Sequence, residues 1–166
     1  GPMGYMVEDR HLRYSLQTAV QKHPKISPHL GVRVICQTDH DTGITLTLEE
    51  GGQINARLLV GADGRNSDTA SQAGIRYTGW NYDQIALVCA VTHDLPHQGV
   101  AHQFFMPPGP LAILPLTSSR SAVVWSEKTD RAALINSLDN AAYLEVLRPR
   151  FGNFLGPIAL TGGRFS

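Results

Sequence analysis

The run Gly61-Ala62-Asp63-Gly64-Arg65-Asn66-Ser67 follows the apolar residues Leu58-Leu59-Val60, and its residue types suit a phosphorylated or hydroxylated ligand. Gly64 lets a ligand approach bare backbone, Asp63 can accept from hydroxyls, and Arg65 can pair with phosphate. An apolar strand entering such a turn, with a short helix over residues 67–73 closed by Gly74, is the setting in which backbone N–H groups face mononucleotides and dinucleotides. The same residues also fit a plain Asp-Gly turn with a solvated arginine.

A second stretch, residues 102–116, is apolar on both faces and punctuated by Pro107, Pro108, Pro110 and Pro115. Prolines confine strands to edges and bends, so a central sheet position is not expected, and Phe104, Phe105, Leu114 and Pro115 are candidates for an apolar cavity wall. The stretch has no Arg or Lys to hold an aromatic acid; the alternative is that its large side chains are core. His93, His97 and His102 have spacings that would suit a metal only on a helix. Pro96 and Gly99 between them argue against one, leaving ordinary hydrogen-bonding histidines and no metal site. There is no Gly-x-Ser-x-Gly, Walker loop or His-Glu-x-x-His, so hydrolase, P-loop and zincin chemistries lack a starting point.

The elements that must position these residues can be read from periodicity. Leu12, Leu16, Ala19 and Val20 predict an amphipathic helix over residues 9–22. Strands are predicted over 31–37, 44–48 and 54–60, joined by Asp/Gly-rich connections of hairpin length that favour an antiparallel meander. Further strands are expected at 84–92, 101–105, 111–116 and 121–125, then a helix over 130–151 capped by Asp130, and a last strand at 158–160. Cys36 and Cys89 lie in strand-like apolar runs and are expected to be buried free thiols, as in a reducing cytoplasm.

With 14 basic and 14 acidic residues among 166, the chain has no field to attract nucleic acid. Its longest apolar run, residues 85–91, is far short of the ~20 residues of a membrane helix. Gly1-Pro2-Met3 reads as the scar of a cleaved tag.

Taken in order, Gly4-Tyr5-Met6-Val7-Glu8-Asp9-Arg10-His11-Leu12, then Leu58 to Ser67, then Gly109-Pro110-Leu111-Ala112-Ile113-Leu114-Pro115-Leu116 and Ser121-Ala122-Val123-Val124-Trp125 resemble the ubiquinone-pathway flavin hydroxylases. The 2-polyprenyl-6-methoxyphenol hydroxylases, within the para-hydroxybenzoate hydroxylase type, are the nearest in pattern. The resemblance implies an α+β fold: an antiparallel or mixed sheet domain with flanking helices over residues 76–166, and part of an FAD-binding domain around the Asp-Gly motif over residues 4–75.

It implies FAD reduced by NAD(P)H, and transfer of one oxygen atom from O2 to a polyprenyl-phenol ring. Asp63, Gly64, Arg65 and Arg10 would contact the cofactors, and Phe104, Phe105, Leu114 and Pro115 the substrate; no residue of this chain would be catalytic. A cytoplasmic protein is implied, one that could sit peripherally at a membrane and join a ubiquinone-biosynthesis complex. Asp9 stands where related enzymes commonly have Asn. The sequence contains no Gly-x-Gly-x-x-Gly and no Gly-Asp, so it reads as the middle of a longer protein that would not retain FAD alone. Two other readings fit the residues: a non-catalytic lipid- or partner-binding module, and a flavin hydroxylase of a soluble aromatic.

Overall fold

The computed structural model describes residue 1 and residues 3–166. Among them the order is α1 (Asp9–Lys22), β1 (Val34–His40), β2 (Gly43–Leu48), β3 (Gln53–Ala56), α2 (Asp68–Gln72), β4 (Gln84–His93), β5 (His102–Met106), β6 (Gly109–Pro115), β7 (Arg120–Lys128), α3 (Thr129–Ser137), α4 (Asn140–Phe151) and β8 (Ile158–Phe165). These elements cluster into two compact units. One is Leu16–Trp80; the other joins Gly1–Ser15 to Asn81–Ser166.

In the Leu16–Trp80 unit, β1, β2 and β3 form the expected antiparallel meander. His40 pairs with Gly43 across a two-residue turn, and a Cβ on Gly43 would lie 2.2 Å from the Ala56 carbonyl oxygen, so only glycine closes this hairpin. β3 stops at Ala56, paired with Ile44, rather than running to Val60. β2 begins at Gly43, which leaves residues 57–60 no ladder partner on that side. Cys36 is exposed, against expectation: it sits on the edge strand β1, where only Gln37 is half-buried. Helix α1 has the expected bounds and an Asp9–Arg13 ion pair at 2.8 Å, yet none of its residues is buried and its apolar positions Leu12 and Leu16 lie exposed.

The other unit is built on a five-stranded antiparallel sheet of order β5-β6-β7-β4-β8. Alternation along β7 sends Ser121, Val123, Trp125 and Glu127 inward and leaves Ala122, Val124 and Ser126 half-buried on the other face. The inward side chains join Leu87, Cys89, Val91, Leu111 and Ile113 under α3 and α4, whose Ile135, Tyr143, Leu147 and Phe151 complete the core. Cross-strand partners share a face, so one side of the sheet is covered by helices and the other stays open.

The helix predicted over 130–151 is two helices, broken where Leu138 turns extended and Asp139 caps α4 by accepting from Ala142 N–H at 2.8 Å. Lys128 rather than Asp130 occupies the α3 cap position. Strand β6 lies inside the sheet between β5 and β7; its prolines sit near its ends, at 110 and 115, so residues 111–114 between them keep their N–H donors. Glu127 is a fully buried carboxylate, with Arg131 and Arg150 nitrogens at 3.7 Å, and the Arg150 guanidinium lies over the Trp125 ring at 4.7 Å.

Candidate functional site

In the Leu16–Trp80 unit a pocket of about 840 Å³ opens between the β1–β2 hairpin, residues 57–59, the Asp63-Gly64 turn and α2. Asp63 shapes the turn. It accepts from the Ser67 hydroxyl and from Thr69 N–H (3.0 Å), while Ser67 Oγ accepts from Ala70 N–H (3.0 Å) as the cap of α2. These donors favour the carboxylate and pull its pKa from 3.8 to about 2, the Ser67 hydroxyl contributing most. Gly64 has φ +88°, and a Cβ there would meet nothing within 4 Å, so the bare backbone faces open space. Arg65 is exposed. The Asp63 carboxylate thus holds its own turn while lining the pocket, beside the open Gly64 and the exposed Arg65.

The second feature belongs to the unit that includes Gly1–Ser15. Residues 6–10 cross the open face of the five-stranded sheet and enclose a cleft of about 510 Å³ with Val88, Ala90, Leu116, Ala122 and Phe165. Glu8 ties this segment down through ion pairs of 2.8 Å to both Arg120 and Arg10. The hydrogen bond from Arg120, then the charges of Arg10, Arg120 and His11, outweigh desolvation and lower the Glu8 pKa. Arg120 also donates to the Thr117 hydroxyl (2.7 Å) and carbonyl (3.3 Å).

The four predicted wall residues do not share one face. Leu114 pairs with Ala122 and Phe105 with Pro110, which places both on the open side; Phe105 is 85% exposed. Phe104 pairs with Leu111 on the helix-covered side and contacts Phe154 and His102, and Pro115 pairs with the buried Ser121. The histidines hold ordinary partners: His93 the Leu95 carbonyl and Ser121 hydroxyl, His97 the Leu116 carbonyl. Sequence reasoning missed the Glu8–Arg120 pair, because residues 112 apart leave no local signal. The cation absent from residues 102–116 reaches the open face from the start of β7. The buried Glu127 lies beyond the strand expected over 121–125, which in β7 continues to Lys128.

The family model described as FAD binding domain matches residues 5–152. The chain belongs to the FAD binding domain family. Over all 166 residues it is 39% identical to the ubiquinone hydroxylase UbiL of Rhodospirillum rubrum, and over 164 residues 32% identical to the 3-demethoxyubiquinol 3-hydroxylase of Escherichia coli K12. It spans 39% and 42% of their lengths. The fold matches that of CmlS, a flavin-dependent halogenase, with a TM-score of 0.71 and 15% identity over 95% of this chain and 30% of that one. For this FAD-binding family member, the open space at Gly64, the exposed Arg65 and the size of the adjoining pocket fit part of a dinucleotide.

Proposed function

We propose that this chain contributes the substrate-covering sheet and the Asp-Gly turn of an FAD-dependent monooxygenase that hydroxylates a polyprenyl-phenol in ubiquinone biosynthesis, with NAD(P)H as reductant. The observation that carries the reading is the 39% identity to a ubiquinone hydroxylase along the entire chain. When bound, FAD supplies the redox and oxygen chemistry; the chain positions and encloses. Gly64 and Arg65 hold the cofactor, and Asp63 keeps the turn in shape for them; Arg10, in the other unit, is paired with Glu8. Phe105 and Leu114, on the open sheet face with Val88, Ala90 and Ala122, receive the substrate and remove its tail from water at ~0.8 kcal/mol per buried methylene. Phe104 and Pro115 support that wall from the covered side. Among the described residues no helix is long and apolar enough to cross a membrane; a cytoplasmic protein meeting its lipid peripherally at a membrane, within a biosynthetic complex, completes the reading.

The test is a chimera in which this chain replaces the matching segment of the R. rubrum UbiL, expressed in bacteria lacking their own demethoxyubiquinol hydroxylase. The expected result is a yellow protein and restored ubiquinone, with affinity for prenylated phenols rising with tail length and lost in Leu114→Asp. A chimera that retains FAD but binds tailed and tailless phenols equally would move the reading to a soluble aromatic.

A further inference from the structure

We propose that Arg120, fixed by Glu8 and Thr117 at the rim of the cleft on the five-stranded sheet, is the anchor for the ring oxygen of the phenol whose tail lies on the open face. This rests on the reading above and adds to it the polar end of the substrate. Arg120, Ala122 and Val124 are alternate residues of β7 and so point to one side of the sheet, placing a guanidinium at the end of an apolar strip. Its Nε and Nη2 are committed to Thr117 and Glu8; Nη1 brings two more donors and has no acceptor among the described residues. The guanidinium is held from two directions and the side chain is only 25% exposed, so it is aimed before any ligand arrives.

Charge points the same way. Two arginines, Arg120 and Arg10, share the single carboxylate of Glu8, Asp9 is paired with Arg13, and His11 lies near enough to act on Glu8. The cleft rim therefore carries an excess positive charge beside the apolar lining of Val88, Ala90, Leu116 and Phe165. An amphiphile with an ionisable aromatic hydroxyl matches both halves. In the bound state its proton passes to water, and the phenolate oxygen accepts from Nη1. An ionised ring is the more electron-rich one, which is what an oxygen transfer to carbon needs.

The test exploits a difference of sign. A phenol merely buried in an apolar cleft is harder to ionise, whereas one beside a guanidinium is easier. The probe is 4-hexyl-2-nitrophenol, whose phenolate absorbs visible light, titrated with the 166-residue chain across neutral pH. Methyl resonances of Val88 and Ala122 locate it, and His11→Gln serves as background to remove the neighbouring imidazole. The bound probe should ionise at a pH lower by about 1 than the free probe. In Arg120→Met it should still bind through its tail but ionise at a higher pH than free, Arg120→Lys should restore part of the lowering, and Glu8→Gln should deepen it by removing the opposing charge. A probe that binds at Val88 and Ala122 yet ionises later, with no response to Arg120→Met, overturns the anchor while leaving the apolar face as the substrate site. Failure to bind, binding elsewhere, or equal affinity for 2-nitrophenol without its tail overturns both.

Discussion

Asp63 shows how one exposed carboxylate can hold a turn together through its own neighbours. Its acceptance from Ser67 and Thr69 predicts that Asp63→Ala loosens the start of α2 and, in the FAD-loaded chimera, weakens cofactor retention through the displaced Gly64 and Arg65. Flavin release on dilution measures this; unchanged retention would detach the turn from the cofactor. The same hydrogen bonds give a pH signature. The folded pKa of about 2 lies below the ordinary 3.8, so the stabilisation is present above about pH 4 and is lost as pH falls towards 2. Urea denaturation of the wild type and Asp63→Asn should differ by a constant amount above pH 4 and converge below it. From sequence, the residue and its turn were legible but the partner was not: Ser67 read as the start of a helix, without sign that its hydroxyl would satisfy Asp63.

At the scale of elements, short turns carried the most information, since the meander followed from them. The strand at 121–125 was legible but its facing was not, because Ala122, Val123, Val124 and Trp125 are all apolar and only the structure sends Val123 and Trp125 inward. The helix break at Leu138–Asp139 was harder, since apolar residues continue on both sides of it, and the deciding interaction is a cap between Asp139 and Ala142. Prolines misled for β6, where only their placement near the strand ends, not their number, decides whether a ladder survives. The junction of β7 with the helices offers its own test. Arg150→Met leaves Glu127 buried with Arg131 alone, and losing a partner of a buried ion pair costs about 3 kcal/mol. Urea denaturation should show a loss of that order, and Glu127→Leu combined with Arg150→Met should recover much of it by removing the stranded charge.

For the whole molecule, the decisive information lay in the order of several individually weak segments, from Gly4 to Trp125, because a family is specified by an arrangement rather than by any one turn. The same scale bears on the cofactor: the sequence contains no Gly-x-Gly-x-x-Gly, and the proposed hold on FAD is the Asp63-Gly64 turn with its pocket. The purified chain should therefore be colourless after dialysis against buffer, whereas the chimera should keep its 450 nm-region absorbance; a stoichiometric flavin band in the isolated chain would show that the Asp63-Gly64 turn and its pocket suffice. The two thiols add a different use. Cys36 is exposed on β1, while Cys89 is buried in the five-stranded sheet, where desolvation raises its pKa and Tyr143 donates to it. A maleimide should thus modify one position within the native molecule at once and the second only through transient openings of the sheet, making the delay between the two mass increments a clock for how often the helix-covered core comes apart.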